Sequence, residues 1–494
     1  MLNFKKLWST SLLLVVGTLS AQSVDNCNWP TMNHDHDNTR TNPCETIIGP
    51  DNVGNLVLSW SFAAPGSVQG APVVVGTTVY FTDTTGNLYA KNVATGADVF
   101  PSVNLGAACE GGTLVTVDTI YTTTSDLRLH ARNLDLTPKV AFNGGSVVVN
   151  PDAVGRAQIL ACPILVDNIV IIPIVNNLAE VTTNINTTLR GGFQAFNATT
   201  GQFLWRRALL RNDQGTSGGS LSTGAIDTEL GLFFAGSSNA TSPPAGKFTN
   251  ALLAIDYRTG KIRWARQYTK NGVWGALYPC GNDYDLGASP NLFEITHKGK
   301  TYKVVGAASK TGVYRVFDRA TGRTVWEKLL KPKDNESNVL TPEVTSINGN
   351  PGAAYHDGVI YTSTNVDRSG RPFNVISILA QNSNLGALIA LGDGLVNTDY
   401  NYLHAVRAKD GKILWTSTTQ SSTFTSLTQA NGVIYVGNVR GLFMALDAKT
   451  GEFLRSEQIP AGGILGAPIT VAGGRVFVGV NIGGPGSIRV YNLP

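Results

Sequence analysis

The stretch Asn282 to Pro290 reads Asn-Asp-Tyr-Asp-Leu-Gly-Ala-Ser-Pro, with Trp274 and Cys280 just ahead of it. Only 15% of the chain is charged, so two carboxylates two residues apart stand out. A carboxylate held over a bound hydroxyl can take its proton, which would make Asp285 a general base. The same residues can also form an Asx turn leading into a strand, for which the small-residue step Gly287-Ala288-Ser289-Pro290 is the expected entry. A second polar concentration, His34-Asp35-His36-Asp37, combines imidazoles with carboxylates. It reads either as a metal cluster or as a polar, structured entry loop.

Such groups need a rigid frame, and composition indicates its kind. The chain has 494 residues, 42% of them hydrophobic, with 54 glycines and frequent Thr and Asn. That balance favours many short strands and tight turns over helices. A formal charge of +4 leaves no electrostatic footprint for nucleic acid. Lys5 and Lys6 precede a short apolar run, Leu7 to Val16, and Leu19-Ser20-Ala21 offers a cleavage site. Residues 1–21 are therefore expected to be a signal peptide rather than a buried helix, and the run is too short to span a membrane. The mature chain is expected to be exported, periplasmic or secreted, and not membrane-spanning. Export permits disulfides; Cys27 and Cys44 flank one short loop and are expected to pair, while Cys109, Cys162 and Cys280 stay unassigned.

Self-similarity sets the architecture. A small polar residue, Gly, two variable residues and an aromatic recur, ending at Trp205, Trp264, Trp326 and Trp415, with weaker copies at Ala94 to Phe100 and Ala448 to Leu454. Each Gly suits a positive-φ turn, and each Trp is expected to anchor a fourth strand between neighbouring sheets. Ahead of each turn lie two β-branched runs split by a Gly or Asn turn, as from Ala71 and from Gln429. Four strands per unit is a propeller blade. Eight units begin near Gly70, Gly106, Ala161, Gly218, Gly287, Gly352, Phe424 and Gly466, the last with three strands. The expectation is an all-β, eight-bladed β-propeller of four-stranded antiparallel blades. Leu56 to Phe62 supplies the missing strand of the last blade and closes the ring. Residues 22–494 then form a single domain, with insertions at Thr182 to Leu189, Ser242 to Phe248 and Ser377 to Thr398 as surface loops or lids, and Leu385 to Val396 as a packed loop in preference to a mobile cover over one face.

The opening of the mature chain, Asn28 to Arg40 followed by Ile48 to Leu56, together with these turns resembles the pyrroloquinoline-quinone (PQQ)-dependent alcohol dehydrogenases, in particular the polyvinyl-alcohol-dehydrogenase-like branch. The resemblance implies that His34, Asp35, His36 and Asp37 form a polar entry loop without a metal. Family enzymes hold Ca²⁺ against the quinone with a Glu and an Asn, and a nearby Asp acts as base. The matching positions are Glu180, Asn239 and Asp285, with Lys310 as the cation that bonds the quinone oxygens. Hard oxygen donors suit Ca²⁺. The segment Gly462 to Thr470 looks like the family's last-blade strand entry.

Two positions depart from the family pattern. Where many members carry adjacent cysteines in a disulfide on one face of the quinone, this chain has Cys109 alone; where many have a Trp on the other face, it has Leu221. A Cys109–Cys162 pairing is the expectation for the lone cysteine, since both stand at innermost-strand entries of successive blades. No Cys-x-x-Cys-His occurs, so no c-type haem attaches to this chain and the electron acceptor is expected to be a separate protein. The expected substrate is a small-molecule or polymeric alcohol. The alternative is a cofactor-free propeller acting as a protein- or polymer-binding scaffold in the cell envelope, a role that shares the blade pattern.

Overall fold

The computed structural model describes residues 27–109, 111–150, 157–176, 190–216, 218–274, 284–297, 299–330, 352–366, 400–419, 423, 425–438, 440–459, 467–480 and 486–494. β-Branched runs cut by positive-φ turns give eight antiparallel blades of four strands, and the two-residue strand Thr41–Asn42 adds in parallel to Thr428–Ala430 in one of them. Their first strands are Val73–Val75, Leu114–Val115, Ile164–Val166, Ala225–Asp227, Asn291–His297, Ala354–His356, Thr428–Ala430 and Thr470–Ala472, which define blades 1 to 8. The first strand of blade 1 packs on that of blade 2, those of blades 4 to 8 pack each on the next, and blade 8 meets blade 1, so these strands line the axis. The last blade is completed as expected: Val57–Ala63 pairs antiparallel with Ser487–Asn492. This joins an early strand to the last described strand in one sheet and closes the ring.

The recurrent Trp has a defined task. On the outer strand of one blade its ring lies against the next blade's turn glycine while its Nε1–H donates to a carbonyl of that turn. Trp60 donates to Val93 O, Trp205 to Tyr257 O, Trp264 to Arg319 O, Trp326 to Ala408 O and Trp415 to Ala448 O, at 2.8 to 3.0 Å. Gly322 shows why that turn residue lacks a side chain. Its φ is +66°, and a Cβ there would sit 2.6 Å from the Trp264 ring.

A second device lies on the axis. The polar opening segment enters the ring and bonds to the blades in turn. Trp29 pairs with Val74 of blade 1, and Pro30 O accepts from Val115 N of blade 2. Thr31 Oγ1 lies 3.4 Å from the Cys162 sulfur at blade 3. The carbonyls of His36, Asp37, Thr39 and Arg40 accept from Ile226, Leu292, Tyr355 and Gln429, one each in blades 4 to 7. Asn42 Nδ2 donates to Val471 O of blade 8. The expected Cys27–Cys44 disulfide is present and clasps the base of this loop. The stretch that offered a metal-cluster reading is thus a polar entry segment, and Asp35 serves it locally by accepting from Thr39 N and Thr39 Oγ1.

Because strands alternate in direction, each segment entering a first strand and each turn between second and third strands fall at one end of the ring. The Trp-bearing turns fall at the other end. The Ser242 to Phe248 insertion belongs to the first end, where Thr216 N donates to Ser242 Oγ and Gly215 N to Pro244 O. Residues 1–21, Thr182 to Leu189 and Ser377 to Thr398 lie outside the described residues. Among the described residues no helix is long and apolar enough to cross a membrane.

Candidate active site

Asp285 and Lys310 meet. Asp285 lies in the segment that leads into blade 5, and Lys310 in that blade's turn between its second and third strands. Lys310 Nζ is 3.0 Å from Asp285 Oδ1, with both side chains 1% exposed. Lys310 N also donates to Asp285 O, so the pair is held by backbone as well as by charge. An ion pair this deep is costly unless its geometry is fixed by neighbours.

Those neighbours come from blade 4. Leu286 N donates to Ser237 O, which fastens the Asp285 segment to the turn that carries Asn239. Gly236 permits the approach, since a Cβ there would fall 2.0 Å from Leu286 O. Asn239 is fully buried, and its carbonyl accepts from Gly218 N. Three further bonds join Ser238 and Gly219, so the same turn is fixed to the segment that carries Leu221. Ser222 Oγ then reaches Ala288 O, and Thr223 N reaches Ser289 Oγ. Leu221, Asn239, Asp285 and Lys310 therefore sit in one hydrogen-bonded patch spanning the entries and turns of blades 4 and 5.

Leu221 packs with Leu160 and Val175 in a small apolar cluster, an aliphatic surface at the position where an aromatic was expected from the family pattern. Trp274, noted in the sequence but given no role, belongs to the same neighbourhood. It is 3% exposed, and its N–H donates to Ala240 O, next to Asn239. The sequence signal for it was an aromatic in the connection that leads to the two carboxylates. Glu180, Cys280 and Asp283 lie outside the described residues.

Cys109 takes a different place. It is at the same end of the ring, but its N–H donates to Asp83 O and it packs with Val73, Leu105 and Val115 at the junction of blades 1 and 2, three blades round from Asp285. The expected Cys109–Cys162 disulfide is not formed. The two side chains belong to separate clusters, and Cys162 turns towards the axis, against Met32 and Ala71. There its thiol donates to Thr113 O, and burial pushes its pKa up to about 11, which makes it a poor nucleophile at neutral pH.

The donor chemistry at the patch can be tested against the groups the family uses. Asn239 and Asp285 offer an amide and a carboxylate oxygen, which are hard donors suited to Ca²⁺. Lys310 offers a cation for quinone oxygens. The donor types of Asn239 and Asp285 fit the ion and that of Lys310 fits the quinone oxygens, whereas Leu221 and the distant Cys109 do not reproduce the two flanking surfaces of the family pattern.

Comparison with known proteins agrees with the fold. Residues 29–332 match the family model for the glucose/ethanol/alcohol dehydrogenase β-propeller domain, and residues 309–490 match that of the outer membrane protein assembly factor BamB. A polyvinylalcohol dehydrogenase of Sphingopyxis sp. (strain 113P3) is 26% identical over 479 aligned residues, covering 86% of this chain and 68% of that one. Among solved structures, a quinohemoprotein alcohol dehydrogenase from Pseudomonas putida HK5 superposes with a TM-score of 0.75 at 19% identity, over 95% of this chain and 80% of the other. BamB from Moraxella catarrhalis gives a TM-score of 0.56 at 16% identity, over 88% and 99%. With more than half of its length matched by the first model, this chain belongs to the PQQ-type glucose/ethanol/alcohol dehydrogenase β-propeller family.

Proposed function

We propose that this protein is an exported quinoprotein that oxidises an alcohol with PQQ and Ca²⁺, with Asp285 as the general base. The observation that carries the reading is the buried Lys310–Asp285 pair, fastened to the turn that bears Asn239. Asn239, Asp285 and Glu180 would hold the ion, while Lys310 and the Leu221 surface would receive the quinone. When bound, the quinone supplies the two-electron acceptor. Asp285 takes the hydroxyl proton of the substrate, and Lys310 keeps that carboxylate ionised in a water-poor setting. The similarity to polyvinylalcohol dehydrogenase makes polymeric alcohols worth testing beside small ones. Because the chain carries no haem-attachment motif, its electrons pass to a separate acceptor protein.

The test is reconstitution. Purified protein is incubated with PQQ and Ca²⁺, and bound quinone is followed by absorbance, with dye reduction measured on ethanol, secondary diols and polyvinyl alcohol. Bound quinone and alcohol-dependent dye reduction are expected, with the dye reduction lost in Asp285→Asn. Absence of quinone binding would favour the scaffold reading, which the match of residues 309–490 to the BamB model keeps in play.

A further inference from the structure

The axial segment reaches the candidate site from beneath. Asn38 is 2% exposed, and its Nδ2 donates twice: to Thr223 O at 3.0 Å and to Pro290 O at 2.9 Å. These carbonyls belong to the two strand entries that carry Leu221 and Asp285. The amide cannot be turned round. Asn33 Nδ2 donates to Asn38 Oδ1 at 3.0 Å, and Asn33 Oδ1 in turn accepts from Arg40 Nη2 at 2.7 Å. Arg40 Nη1 is anchored on Ala353 O of blade 6. The backbone of Asn38 is held as well, its carbonyl accepting from Asn291 Nδ2 at 2.6 Å. Its φ of +55° is a left-handed conformation that Asn, Asp and Gly adopt more readily than other residues.

We infer that Asn38 is a positioning residue for the site: its amide clamps the entries of blades 4 and 5 together and so sets where Asp285 stands relative to Leu221 and Asn239. The inference rests on the reading of Asp285 as the base. Asn38 does not touch the reacting groups; it acts through Thr223 and Pro290. A small displacement is enough to matter, since a misplacement of about 1 Å far from the chemistry can cost roughly a hundredfold in rate.

Two variants of the full chain test this, and both keep the backbone conformation. Asn38→Asp places a carboxylate against two carbonyl oxygens, and Asn38→Gly removes the clamp. Hydrogen–deuterium exchange of the cofactor-free proteins gives a readout independent of turnover. Both variants are expected to speed exchange roughly tenfold or more in peptides spanning 220–226 and 284–292, with the blade 7 strands Val433–Gly437 and Leu442–Asp447 unchanged. With PQQ and Ca²⁺, kcat is expected to fall roughly tenfold or more while the alcohol KM stays within about threefold, the split expected when placement of the base is disturbed. Wild-type exchange at both segments in both variants overturns the inference. Equal loosening of all eight blades overturns it too, since Asn38 would then only support the ring. Local loosening in proteins that never oxidise alcohol upholds the clamp and removes the catalytic reading of Asp285 instead.

Discussion

Lys310 Nζ lies 3.0 Å from Asp285 Oδ1 although the two residues belong to different segments of the ring wall, and neither side chain is more than 1% exposed. Removing one partner strands the other charge in the interior. Lys310→Met alone is expected to lower stability by about 3–5 kcal/mol in urea melts, and Lys310→Met with Asp285→Asn to recover most of that loss. Both proteins lack turnover, so the stability comparison separates the cost of the charge from the cost to catalysis.

Asn239 is fully buried in the turn fastened to the Asp285 segment. In the proposed site Asn239 is an ion ligand, and Asn239→Ala removes that oxygen. The Ca²⁺ concentration needed for quinone uptake is then expected to rise roughly tenfold or more, measured by titration after chelation. The backbone bond from Gly218 N to Asn239 O remains, so the fold of the turn should persist.

The outer anchors can be separated into ring and hydrogen bond. Trp264→Phe keeps an aromatic but loses the Nε1 bond to Arg319 O, and is expected to cost about 1–2 kcal/mol. Gly322→Ala puts a Cβ into the Trp264 ring at a positive φ and should cost more than the Phe change. Thermal unfolding of the two variants checks the order.

Two deeply buried imidazoles should contribute to acid sensitivity above the carboxylate range, and burial pushes His36 in the same direction. His130 is held near pKa 4 by burial and then by the charge of Arg132, and His404 near 4 by burial. Between pH 6.5 and 4 the unfolded chain takes up protons at both that the folded core refuses. Stability therefore falls as pH drops through that window, by on the order of 2–3 kcal/mol for each group near its lower end. Melting temperature against pH should flatten in His404→Gln.

Much of the ring was legible in the chain because its signals are local. Each Gly turn followed by Trp lies within one hairpin, and the three-strand remainder at the last unit left one place for Leu56 to Phe62. The axial segment was legible only as polar and structured. Its bonds run from consecutive carbonyls to strands as distant as Gln429, and no spacing in the sequence records them. The site stands between these cases. The meeting of Asp285 with Lys310 was suggested by family likeness, not by their separation, whereas Cys109 shares only their end of the ring. The cysteine pairing failed because neighbouring strand entries can aim their side chains in different directions: Cys109 into the sheet interface, Cys162 towards the axis.

The axial loop also dictates an order of events. Strand meanders are short-range and can form as soon as their own residues are available, but the Arg40 carbonyl takes its hydrogen bond from Gln429 N and the Asn42 amide gives one to Val471 O, both far along the chain. The axle therefore sets last, when the seventh and eighth sheets exist to receive it. An incomplete ring would leave the segment that carries Asn38 untied at its far end, so the pocket and the finished circle should appear together, in a single late step.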